Sequence, residues 1–96
     1  MIRSFRNEGT EDLFNGVNSR AARKLCGETV MKIARKRLVL LEAANTLLDL
    51  KSPGNQLEKL GKDRVGQHAI RINDQYRVCF IWTKAGAEQV EVTDYH

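Results

Sequence analysis

The hydrophobic positions change period about two-thirds of the way along the chain. From Glu28 to about Leu50, Val30, Ile33, Ala34, Leu38, Leu41, Ala44 and Leu48 recur at three- and four-residue steps, with Lys32, Arg35, Lys36 and Glu42 elsewhere on the wheel. That spacing predicts one long helix. Leu40, Leu47 and Leu50 widen its apolar stripe, which predicts cover on more than one side. Ser52-Pro53-Gly54-Asn55 ends it, because proline cannot continue the hydrogen-bond ladder and glycine and asparagine suit a turn.

After Gly66 the period becomes two. His68, Ile70 and Ile72 alternate with Ala69 and Arg71, and Asn73-Asp74 supplies a hairpin turn. In Tyr76–Thr83, Val78, Phe80 and Trp82 take one face and Arg77, Cys79 and Ile81 the other. Lys84-Ala85-Gly86 is a second turn, and Val90 and Val92 mark a final strand. Gln56–Gly66 reads as a polar loop anchored by Leu57 and Leu60.

The N-terminal part is less regular. Met1–Arg6 alternates as a short strand does, and Glu11–Asn15 reads as a short helix with Thr10 as its N-cap and Gly16 as its stop. Val17–Gly27 stays ambiguous, with Ser19-Arg20-Ala21-Ala22 able to begin a helix. The predicted fold is α+β, in the order β-α-α-β-β-β, with two helices on one face of a small antiparallel sheet. The first strand joins that sheet, since alone it would leave its backbone groups unpaired. Residues 1–96 make one domain, the size of a single modest core.

Composition adds a polarity to this picture. The net charge is +4, and it comes from one half: residues 1–52 hold ten Lys/Arg against six Asp/Glu, while residues 53–96 hold six of each. The clusters Arg20, Arg23, Lys24 and Lys32, Arg35, Lys36, Arg37 suit a polyanionic partner, and equally a solvated helix face. No apolar run approaches the ~20 residues that span a bilayer, and the opening MIRSFRNEG has no apolar signal core. A cytoplasmic protein without membrane contact is expected. Cys26 and Cys79 lie outside any metal-ligand spacing and are expected as free buried thiols; no metal and no cofactor is implied.

The chemistry-bearing residues concentrate near the end of the chain. Asp94, Tyr95 and His96 place a carboxylate, a phenol and an imidazole side by side, with Arg64, His68, Arg71 and Arg77 upstream. Guanidinium groups grip phosphate oxygens with two fixed donors, and imidazole titrates near neutrality. Strict alternation would put Asp94 and His96 on one face and Tyr95 on the other, so the three converge only if the strand ends near Asp94 or twists there. The ordinary readings are a frayed terminal histidine, a sheet-packed tyrosine, and a cross-strand pair of Arg77 with Glu91 or Asp94. His68 shares parity with Ile70 and Ile72, which suits the edge of a core, although it neighbours the basic loop. Lys59, Lys62 and Arg71, with Arg64 and His68, are candidates for contact with RNA.

The stretch SPGNQLEKLGKDRVGQHAIRINDQYRVCFIW and the terminal VEVTDYH resemble the HigB-type killer toxins of bacterial toxin–antitoxin modules, within the RelE-like superfamily and closest to its GraT-like branch. MIRSF and LLEAANTLLDLKSPGN fit the same family, so the resemblance spans nearly the whole chain. It implies two helices on an antiparallel sheet and an endoribonuclease that cuts mRNA in the ribosomal A site without a metal. It also implies a cognate helix-turn-helix antitoxin, through whose complex alone operator DNA is bound. By resemblance Arg77, Asp94, Tyr95 and His96 are catalytic, and Arg64 is the loop arginine. Where relatives carry a His and a Lys in that loop, this chain has Glu58 and Gly61, with Lys59 and Lys62 nearby. The alternative on the same fold is a non-catalytic inhibitor of a protein target such as a topoisomerase. A proton carrier beside arginines favours the enzyme.

Overall fold

A computed structural model describes residues 1–94; Tyr95 and His96 lie outside the described residues. Its centre is the meander that the period-two segments predict. β1 (Glu58–Lys59), β2 (His68–Arg71), β3 (Tyr76–Thr83) and β4 (Gly86–Asp94) form one antiparallel sheet in sequence order. β1 is a correction to the predicted loop. Leu57 packs against the main core and Leu60 against Ala69 and Cys79 on the other side of the sheet, and the two residues between them pair with Ala69 and His68.

Ile70, Val78, Phe80, Val90 and Val92 make one face of the sheet, all buried to within 1% of full burial. Three α-helices cover that face rather than the two predicted: α1 (Glu8–Phe14), α2 (Arg20–Leu25) and α3 (Glu28–Ala43). The ambiguous stretch resolves as α2 because Ser19 caps it, accepting from the Ala22 amide at 3.0 Å while donating to Asp12 at 2.6 Å. α1 and α2 cross closely at Gly9, where a Cβ would lie 2.6 Å from the Ala21 carbonyl oxygen.

α1 starts earlier than predicted. Asn7 is its N-cap, and its Oδ1 accepts from both the backbone amide and the hydroxyl of Thr10, at 2.9 and 2.7 Å. Thr10 is therefore inside the helix and fully buried. Its hydroxyl oxygen accepts from the Val92 amide at 3.1 Å, which ties the helix to β4.

α3 also stops earlier than its apolar pattern predicts. Ala44 is extended, and the Asp49 carboxylate accepts from the amides of Asn45 and Thr46, at 2.8 and 2.9 Å. Those bonds, which hold the Asp49 carboxyl below its usual range, open a separate 3₁₀ turn at Leu47–Leu50. The restart drives Leu50 into the core but leaves Leu48 74% exposed, and Leu40 is uncovered too.

The N-terminal segment joins the sheet beside β4, running parallel to it in two isolated bridges, Ile2 to Ala87 and Phe5 to Val90. A bulge separates them. Gln89 takes a positive φ of 51°, and its amide donates to the Ser4 hydroxyl instead of a ladder carbonyl. At the β3–β4 turn Gly86 is required, since a Cβ there would lie 2.1 Å from the Met1 carbonyl oxygen. Both cysteines are free and buried.

Thr10→Val keeps the shape of the side chain and removes the acceptor for the buried Val92 amide. Chemical denaturation is expected to show a loss of about 1–3 kcal/mol, the cost of a buried donor left unpaired. A variant as stable as the parent would show that this bond does not hold α1 to the sheet.

Candidate active site

Register decides which side chains share the face turned away from the helices. Glu58, Ala69, Cys79 and Glu91 are partners from strand to strand, and Arg71, Arg77 and Thr93 form the neighbouring row. Paired residues point to the same side of a sheet, so both rows stand opposite the apolar core. Ala69 and Cys79, with Leu60, make a small buried floor.

Arg64, from the 3₁₀ turn Lys62–Arg64, reaches across this floor. Its Nη1 donates to Glu91 Oε1 at 2.8 Å and to Gln67 Oε1 at 3.1 Å. Glu91 is only 13% exposed, and Arg6 Nε approaches the same oxygen at 3.9 Å. Glu91 is the residue that sequence reading underrated. It was a candidate partner for Arg77, and the structure pairs it with Arg64, because a loop more than twenty residues upstream folds back over the sheet. Its strand parity with Cys79 was the available signal.

Arg77 donates to the carbonyl oxygens of Asn73 and Tyr76 and so braces the β2–β3 turn. In that turn Asn73 Oδ1 accepts from the amides of Gln75 and Tyr76. Arg71 forms an ion pair with Asp74. Arg64, Arg77, Glu91 and Glu58 all lie near enough to Cys79 to act on its thiol electrostatically. Burial dominates, however, and pushes that thiol up to about 11, with the arginines pulling down and the carboxylates pushing up. Cys79 is protonated at neutral pH and is not a nucleophile.

The other candidates stand elsewhere. His68 and Lys59 are cross-strand partners in register with Phe80, so they share the parity of the helix-covered face. The His68 ring stacks on Phe80 at 6.2 Å between centroids, and its buried Nδ1 has no hydrogen-bond partner among the described residues. Burial, and then the Lys59 cation, lower its pKa. Lys62 is exposed, with a positive φ of 53°. Asp94 pairs with Tyr76, is exposed, and accepts from Gln75 Nε2 at 2.8 Å. Tyr95 and His96 follow it directly, outside the described residues. Among the described residues no cluster of three His, Cys, Asp or Glu side chains is placed to hold a metal ion, and no helix is long and apolar enough to cross a membrane.

Residues 3–96 match the model of a protein family described as the RelE-like toxin of the type II toxin–antitoxin system HigB. The chain belongs to this HigB-like toxin family. Among solved structures, the toxin is similar to a chain of the YoeB–YefM complex from Staphylococcus aureus. The TM-score is 0.60 at 12% identity, with 100% of this chain and 98% of that one covered. At that identity the likeness shows a shared fold. None of the curated proteins matches the chain significantly.

The environment of His68 gives this toxin a pH signature. Its native imidazole binds a proton more weakly than the unfolded one, whose pKa is 6.5. The unfolded state therefore takes up more protons as pH falls through that value, and stability declines on the acid side. Thermal melts at about pH 7 and about pH 5 are expected to show a fall in Tm that His68→Gln reduces. An acid limb unchanged by the substitution would assign the effect to other groups.

Proposed function

We propose that this toxin is an endoribonuclease that cleaves mRNA on the translating ribosome, by attack of the RNA's own 2′-OH and without a metal. The observation that carries the reading is the open sheet face on which Arg64 and Arg77 stand with Glu91 and Glu58, next to the strand that leads into Asp94, Tyr95 and His96. In this reaction the 2′-oxygen forms a bond to phosphorus and the bond to the 5′-oxygen breaks. The products are a 2′,3′-cyclic phosphate and a 5′-hydroxyl. One group must accept the 2′-OH proton, another must protonate the leaving oxygen, and cations must offset charge on the phosphorane-like centre.

Arg64 and Arg77 supply the cations. In the free toxin Glu91 holds the Arg64 guanidinium above the floor of the site. An arriving phosphodiester offers Arg64 an anionic oxygen in place of the Glu91 carboxylate oxygen, so the arginine exchanges one oxyanion for another. His96 is the proton carrier, since an imidazole can both accept and donate a proton near neutrality. Tyr95 stacks on a base or donates to the scissile phosphate. Lys59, Lys62 and Arg71 hold backbone phosphates without sequence choice. His68, lacking a positive charge near neutrality, contributes shape. The ribosome supplies alignment of the mRNA, which compensates for the loop positions where Glu58 and Gly61 replace the family's His and Lys. A helix-turn-helix antitoxin neutralises the toxin and carries the operator contacts.

Purified toxin is expected to cut mRNA in a translating complex and barely to cut free RNA; equal rates on both would overturn the ribosome dependence. His96→Gln should lower cleavage roughly 10²–10⁴-fold while shifting stability by less than about 1 kcal/mol. Arg77→Lys keeps a charge and loses the planar fork, so it should lower cleavage by about 10²-fold or less. Full cleavage by the His96 variant would move the proton transfer to another group.

A further inference from the structure

Cations on the two sides of the molecule are treated differently. On the sheet face three are compensated internally, Arg64 and Arg6 by Glu91 and Arg71 by Asp74. On α3, Lys32, Arg35 and Lys36 take part in no ion pair among the described residues. All are exposed, and their spacing puts them on one side of the helix. They also rim an apolar cleft. Between the end of α1 and α3 lies a space of about 490 Å³ whose apolar walls are Leu13, Val17 and Met31. Arg35 closes one end of it, its Nε 3.5 Å from the point where a Cβ on Gly16 would sit. A second cleft of about 440 Å³, lined by Lys32, Arg35, Lys36 and Val39, shares two of those residues and continues along the helix. Val17 and Val39 are 49% and 47% exposed, so apolar surface is uncovered along the groove.

We propose that this groove is the docking site for an acidic amphipathic segment of the antitoxin. Its apolar side chains enter the cleft between α1 and α3, and its carboxylates meet Lys32, Arg35 and Lys36. Charge complementarity selects this occupant. RNA would satisfy the cations and leave the exposed Val17 and the half-buried Met31 uncovered, whereas an uncharged helix would cover the walls and strand the cations. Glu28 on the cleft's rim is the one acidic side chain there, and it leaves the local balance positive. From Lys32 to Val39 the groove runs about 10 Å at the helical rise, enough for roughly two turns of a partner helix. The proposal rests on the toxin–antitoxin reading and names the surface by which the two halves meet.

The test measures affinity for the antitoxin encoded beside the toxin gene, using the whole toxin. Lys32→Glu with Arg35→Glu is expected to raise Kd roughly tenfold to a hundredfold and to flatten its dependence on salt. Met31→Ala, which shortens a cleft wall without changing charge, should raise Kd by a smaller factor. Lys32→Gln with Arg35→Gln is the milder pair should charge reversal disturb folding, with Tm as the control. Cleavage of ribosome-bound mRNA is measured on the same proteins. It should stay at the parental rate, so a parent that binds antitoxin and cuts no mRNA would refute the nuclease reading alone. Unchanged antitoxin affinity in the charge variants overturns the proposal. So does a loss confined to ribosome association, which would make the groove an RNA surface, or the dissociation of a toxin dimer, which would make it a self-contact.

Discussion

The antiparallel meander from β2 to β4 is the constraint on which the other parts depend. Its hairpin turns fix register, and register sorts side chains strictly between two faces. Ile70, Val78, Phe80, Val90 and Val92 are thereby committed to one side, where each contributes on the order of 1.5–3 kcal/mol if fully buried. Such a face has to be covered, and α1, α2 and α3 are short amphipathic elements that cover it from one direction only. The charged face is open because the apolar one is not. Backbone bonds then fix how the helices sit, with the Thr10 hydroxyl joining α1 to β4 and Asn55 tying the segment after α3 to Leu50 and to the Arg71 amide.

The same sorting organises the electrostatics. An arginine left alone over a buried floor of Ala69 and Cys79 would be costly, and Glu91 offsets that cost from the neighbouring strand. The result is a face on which Glu91 compensates Arg64 and Arg6 and Asp74 compensates Arg71. The outer side of α3 follows the opposite rule. Lys32, Arg35 and Lys36 stand beside apolar surface with no ion pair among the described residues, which is the composition expected of a surface completed by another chain.

The sequence alone determined what depends on periodicity and on short-range turn chemistry. Period two after Gly66 specified the strands, the Asn73 turn and the split between Val78/Phe80 and Arg77/Cys79, because alternation is a property of any strand whatever it packs against. The VEVTDYH end and the QYRVCF step identified the family and the candidate arginines, and the two thiols were legible as free. What only the tertiary structure decided involves partners distant in sequence. Thr10 looks like a cap locally, yet it lies inside α1 because Asn7 takes the cap and Val92 claims the Thr10 hydroxyl. The end of α3 is set by Asp49 capturing two amides, a competition that the apolar pattern cannot register. β1 forms because Ala69 and His68 offer a free sheet edge, and Glu91 meets Arg64 because a loop folds back across three strands. A period records how one segment faces its surroundings. Which donor meets which acceptor across the fold is settled only when all the segments are in place.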